Sequence, residues 1–204
     1  MSLFSFAFIF VGSICFSLGF LHLLIFFRRR ELKVDLFFSC MAFAIAFSSF
    51  FEIWSFKTGV LTSFLPLLRA TLTVQCLLWI FFAWFVHYFT LSKKLWPPIL
   101  ITNLYGLAIL INLFSPGSIL FSEVEKLSSL SLPSGEILYF ANGPANPFRL
   151  LGDIAWVAFL MYTGVACISF AKRGNTAKAI IFGTTIFVCL GYLQDTMLLV
   201  RQIE

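Results

Sequence analysis

The chain has 204 residues, of which 60% are hydrophobic, only 11% are charged and 28 are Phe, and its mean hydropathy is +0.98. Soluble domains carry roughly 25% charged residues, so there is too little charge to coat a globule, and the composition is that of an integral membrane protein. The net charge of +5 does not point to nucleic acid, because the basic residues gather at the ends of apolar runs.

A helix crossing about 30 Å of hydrocarbon needs about 20 apolar residues. Six segments meet that length: 3–27, 35–56, 64–91, 96–114, 149–170 and 178–200. All are continuously apolar and none alternates, which excludes a β-barrel. The expected fold is an all-α membrane bundle, a single transmembrane domain over residues 1–204 with six spans and one long connection at 115–148.

The first segment, "MSLFSFAFIFVGSICFSLGF", has no positive stretch before its apolar run and no A-x-A cleavage site. Its arginines follow the run, so it reads as a retained span with the N-terminus outside. Gly12, Cys15, Gly19 and His22 fall on one helical face. In the second segment Ser39, Ala42, Ala46 and Ser49 do the same. Small stripes of this kind let helix backbones approach closely. Glu52 lies near the outer end of the second segment.

In the third segment Arg69, Thr73, Cys76, Ile80 and His87 share a face. Arg69 and His87 stand about 27 Å apart along that helix, with Glu52 the expected partner of Arg69. The fourth opens on "LWPPIL", where Pro97 and Pro98 are tolerated in a first turn. Within 115–148, "SILFSEV" and "EILYFA" flank Pro133–Gly135 and read as a short hairpin. Arg149 and Asp153 form an i, i+4 pair at the start of the fifth segment. In the sixth, Thr184, Val188, Gly191 and Asp195 share a face.

Basic residues set the orientation. Arg28, Arg29, Arg30, Lys33, Lys93, Lys94, Lys172, Arg173 and Lys178 fall in the odd-numbered connections. Lys57, Arg69, Lys126, Arg149 and Arg201 lie on the other side. The odd connections are therefore expected in the cytoplasm, and the N-terminus outside a bacterial inner membrane, in a multi-pass arrangement. Six spans place "VRQIE" outside as well. A protein that signals inward through a C-terminal module then needs a seventh span; the alternative is a complete six-span protein of another kind.

Polar residues inside spans usually face the bundle interior. Glu52, Arg69, Arg149, Asp153 and Asp195, with Asn146 in the connection above them, are candidates for a polar cup that binds a small ligand. The alternative is a set of interfacial ion pairs tying span ends together. His22 and His87 lie at equal spacing from a basic run. Two such histidines can ligate a b-type haem axially; the alternative is interior hydrogen bonding, with Asp35 the expected partner of His22. No resident cofactor and no metal site are expected. Cys15, Cys40, Cys76, Cys167 and Cys189 all lie in apolar runs, without metal-type or disulfide spacing.

Nucleophile-elbow, zincin, P-loop and dinucleotide motifs are absent. The chain resembles the N-terminal multi-span, seven-helix sensor region of bacterial PAS-containing sensor histidine kinases. The residues that carry this are "LHLLIFFRRR", "WFVHYFT", "NLFSPGSILFSE", "GEILYFANGPANPFRLLGD" and "KRGNTAKA". Gly143, Asn146 and Pro147 match that family's loop-to-helix junction, and His22 and His87 its span-end positions. The resemblance implies a sensory input domain lacking its last span. It also implies that any kinase activity resides in a C-terminal module outside these residues, so that no enzymatic activity is expected of the chain. The expected partners are membrane lipid, a small ligand of unspecified kind and, through helix packing, a second copy of the chain. The competing readings are a bis-histidine haem protein and a small transporter or lipid-handling protein using Glu52, Asp153 and Asp195.

Overall fold

The computed structural model describes residues 3–132 and 135–186. The described chain is mostly helical, with one two-stranded hairpin: α1 Leu3–Arg28, α2 Lys33–Lys57, α3 Leu61–Thr90, α4 Trp96–Phe114, β1 Lys126–Ser131, β2 Ile137–Asn142 and α5 Arg149–Lys172. A shorter apolar helix, α6, covers Thr176–Ile186. Five helices, α1 to α5, are long and apolar enough to cross a membrane. The protein is therefore a multi-pass membrane protein. The expected first five spans agree with these helices to within three residues at either end. The later part of the sixth, with Val188, Gly191 and Asp195, lies outside the described residues.

The helix ends follow from local chemistry. Arg29 N–H still reaches back to the carbonyls of Ile25 and Phe26, and α1 stops within the arginine run. Pro66 lies inside α3, in its second turn, where it removes the backbone bond to the Thr62 carbonyl. Leu91 closes α3 in the left-handed region, φ 51°, and its N–H caps the carbonyls of His87 and Tyr88. Pro97 and Pro98 sit in the first turn of α4, where missing N–H groups cost nothing.

The chain divides into two compact units, Met1–Ala155 and Trp156–Glu204, and the boundary falls within α5. In the first unit packing follows chain order: α1 on α2, α2 on α3, α3 on α4, and β2 against α2. In the second unit Gly174, at φ +70°, turns the chain between α5 and α6. Asn175 N–H returns to the Phe170 carbonyl, a helix C-cap that a residue with a Cβ would strain. Phe170 then stacks on Phe182 at 5.7 Å.

The two small-residue stripes form one interface. A Cβ on Gly12 would stand 3.5 Å from Ser49 Cβ, and one on Gly19 would stand 3.1 Å from the Phe43 ring and 3.3 Å from Ala42 Cβ. Ser39 Oγ donates across the interface to the Gly19 carbonyl at 2.7 Å. The seam ends at the His22–Asp35 contact, 2.7 Å, as the sequence led us to expect. The α2–α3 interface is aromatic at the same end: Phe37 stacks on both Trp84 and Tyr88, and Phe38 packs near Phe85. Trp84 Nε1 donates to Thr102 Oγ1 on α4 at 3.0 Å.

The hairpin is antiparallel, with Lys126 opposite Asn142 and Ser131 opposite Ile137. Its second strand is where the sequence placed it. Its first is "KLSSLS" and not the expected "SILFSEV". The reason is burial: Ile119 and Val124 are 5% and 7% exposed, so the more apolar stretch is used in the core and the serine-rich one forms the strand.

Candidate functional site

The polar residues of the first unit gather at two ends: the hairpin end, where the 115–148 connection covers the helices, and the basic end, which carries Arg28–Arg30.

At the hairpin end Arg69 is the first anchor. It rises from α3 and meets the three carbonyls that immediately follow the end of α4. Its Nη2 donates to Ser115 O at 2.5 Å and Pro116 O at 2.6 Å, and its Nε to Gly117 O at 3.2 Å. A guanidinium at a helix C-terminus meets both free carbonyls and the negative end of the dipole. Glu52 is not its partner. Glu52 Oε1 accepts from Gln75 Nε2 at 2.7 Å and from Ser48 Oγ at 3.3 Å, so the α2–α3 contact here joins a carboxyl to neutral donors.

Asn112 is the second anchor and is fully buried. Its amide donates to the Arg69 carbonyl at 2.9 Å and to Thr73 Oγ1 at 3.1 Å, while its Oδ1 accepts the Ile119 N–H at 3.2 Å. One side chain thus joins α3, α4 and the start of the connection. Asn146 is the third. Its Nδ2 donates to Ser118 O at 2.8 Å, its N–H to Leu120 O, and its Oδ1 caps α5 by accepting Phe148 N–H at 3.0 Å. Gly143 completes this crossing, because the Glu123 carbonyl oxygen lies where a Cβ would stand.

The hairpin itself rests on the ends of α1 and α2. Glu136 Oε1 accepts from Ser5 Oγ at 2.9 Å and lies 3.7 Å from Lys57 Nζ. Tyr139 sits directly over Gly59 in the α2–α3 turn, and Phe140 packs on Phe56 with ring centroids 5.3 Å apart. The connection therefore touches the ends of all four helices that precede it.

Of the six cup candidates, the structure joins Arg69 and Asn146 to the connection and joins Glu52 to α3. Asp153 is exposed, and no ion pair links it to Arg149 among the described residues. Asp195 lies outside them. Gln75, Asn112, Ser118 and Glu136 were not candidates from the sequence. Gln75 and Asn112 carried a signal that attention to ionisable residues alone missed, since an amide in an apolar run also needs a partner.

At the basic end His22 is held by Asp35 and packs on Phe38 at 4.2 Å. His87 is 7% exposed, lies against Trp84 and Tyr88, and its buried Nδ1 has no hydrogen-bond partner among the described residues. The helices that carry the two histidines both pack on α2. No group of three His, Cys, Asp or Glu side chains among the described residues is placed to hold a metal ion. Comparison with protein-family models, with curated proteins and with solved structures gave no match, so the functional reading rests on this geometry.

Proposed function

We propose that the chain is the membrane-embedded input domain of a bacterial signal-transduction protein, with the hairpin end outside the inner membrane and the basic end in the cytoplasm. A stimulus at the hairpin end, or in the surrounding lipid, shifts the packing of the helices. The shift passes inward to a cytoplasmic module that lies outside these residues. One observation supports this reading most directly: the 115–148 connection is bonded to α1 through Ser5, to α2 through Lys57 and to α3 through Arg69. A ligand that moves the connection therefore moves several helix ends together, and a ligand with different affinity for two packings shifts the balance between them. The distribution of basic residues supports the orientation.

The test has two parts. The reading frame after Glu204 is expected to continue into an apolar span and a signalling module; a frame that closes at Glu204 would overturn the proposal. In the full-length protein stripped of its native cysteines, Ser5→Cys and Glu136→Cys joined by a short bis-methanethiosulfonate reagent should pin the hairpin to α1. Signalling output is expected to lock on cross-linking and to recover on reduction. Output that ignores this cross-link would count against the hairpin as the input element.

A further inference from the structure

The basic end carries a surface that the input function does not use. α2 begins where α3 ends: Lys33 Nζ lies over the Tyr88 ring at 5.5 Å, and Phe37 stacks on the same ring at 5.3 Å. The α1–α2 turn is tied to this corner by the His22–Asp35 contact. The two short connections 29–32 and 91–95 therefore border one patch. It contains six cations, Arg28, Arg29, Arg30, Lys33, Lys93 and Lys94, all exposed. The nearby carboxylates are Glu31 and Asp35, and Asp35 is taken by His22. None of the six cations enters an ion pair among the described residues. The cationic charge of the patch is thus largely uncompensated within the described fold.

Apolar side chains share the same patch. Leu91 is 86% exposed and Trp96 is 64% exposed, and they bracket Lys93 and Lys94. Leu91 occupies the left-handed region, a conformation that a leucine adopts only at a steric cost. The turn thus holds a large apolar side chain at the surface next to two ammonium groups. A tryptophan at the start of a span is a membrane-interface anchor. Cations at headgroup depth, with leucine and tryptophan beside them, match an amphiphile with an anionic head. A soluble anion would meet the charges and leave Leu91 and Trp96 in water.

We infer that the basic end of the first unit, formed by residues 28–33 and 91–96, is a binding surface for anionic phospholipid headgroups. Phosphate oxygens bridge the two connections through Arg28–Arg30 and Lys93–Lys94, and acyl chains lie against Leu91 and Trp96. Juxtamembrane basic clusters recognise anionic lipid in this way. The bound lipid staples the α1–α2 turn to the α3–α4 turn.

The purified full chain, mixed in detergent with equal amounts of phosphatidylglycerol and phosphatidylcholine, tests this by native mass spectrometry. Preferential retention of phosphatidylglycerol is expected, and each contacting cation replaced by glutamine should weaken it about fivefold. Lys93→Gln and Lys94→Gln are sufficient if the arginine variants fold poorly. Leu91→Gly separates lipid from headgroup alone, since glycine accepts the left-handed turn. This variant should fold at least as well as the original chain and yet retain less phosphatidylglycerol. Equal retention of the two lipids, or retention unchanged in the lysine variants, would overturn the proposal. So would competition by glycerol phosphate as effective as that by the intact lipid.

Discussion

The α1–α2 seam and the α3–α4 seam solve the same problem by different means. Both join neighbouring antiparallel helices that cross the bilayer. The first relies on missing volume: Gly12 and Gly19 admit Ser49, Ala42 and the Phe43 ring. The second relies on buried polar chemistry, with Asn112 bonding to α3 and to the Ile119 N–H, and Arg69 meeting the carbonyls just past the end of α4. A size-based seam tolerates any side chain that still fits. A polar seam tolerates only the groups that donate and accept at the same points, because lipid offers no water to replace them.

Substitutions that separate size from chemistry sharpen the contrast. The largest effect is expected at Asn112. Leucine conserves volume there but leaves the Ile119 N–H without its acceptor and removes the amide's bonds to Thr73 Oγ1 and to the Arg69 carbonyl, which keeps its intrahelical bond, a loss of about 3 kcal/mol. Unfolding in bicelles or mixed micelles measures it; a volume-conserving leucine that proved harmless would remove the distinction between the seams. Arg69→Lys follows, at about 2 kcal/mol, because one ammonium cannot reproduce the planar fork that reaches three successive carbonyls.

The size-based seam should respond more weakly and in a graded manner. Gly19→Ala places a Cβ 3.1 Å from the Phe43 ring, and a cost of about 1 kcal/mol is expected for overpacking. Removing the interhelical bond with Ser39→Ala should cost about 0.6 kcal/mol, the usual worth of such bonds between membrane helices. Gly12→Ala should be close to neutral, since its new methyl meets Ser49 Cβ at an ordinary 3.5 Å. If Gly12→Ala proved as damaging as Gly19→Ala, the close approach at Gly19 would not be what limits this interface.

The two helices of the first seam also differ in burial. In α2, 33% of the most apolar stretch is buried, against 6% in α1. The difference is not visible in hydropathy, which is higher for α1 than for α2. In lipid an apolar residue is as comfortable outside a bundle as inside it, so apolarity marks the span but not its depth in the packing. What did mark the interface was the spacing of Gly12 and Gly19 against Ala42, Ala46 and Ser49, because small size is useful only where another backbone approaches.

The hairpin shows the opposite limit. "SILFSEV" is the better strand by composition, yet "KLSSLS" forms it. Ile119 and Val124 of the connection are buried, while the serine-rich stretch pairs at the surface. Strand preference was outweighed by the need to cover the helix ends. In the same way Glu52 and Arg69 were natural partners by charge and by depth. The carbonyls at the end of α4 took the guanidinium, and Gln75 took the carboxyl.

Composition alone identified a membrane protein, and continuous apolar runs located its first five spans and the 115–148 connection. Hydrocarbon imposes that much on any chain, since a segment must be long, apolar and internally hydrogen-bonded to cross it. The partners of the polar residues were settled by folding. Whether Arg69 meets a carboxylate or three carbonyls, and whether Asn112 and Glu136 matter at all, depends on which unsatisfied groups the helix ends bring within reach. Apart from the Asn112–Ile119 bond, those groups come from residues 39 to 131 positions apart in the chain, and no local pattern records their approach.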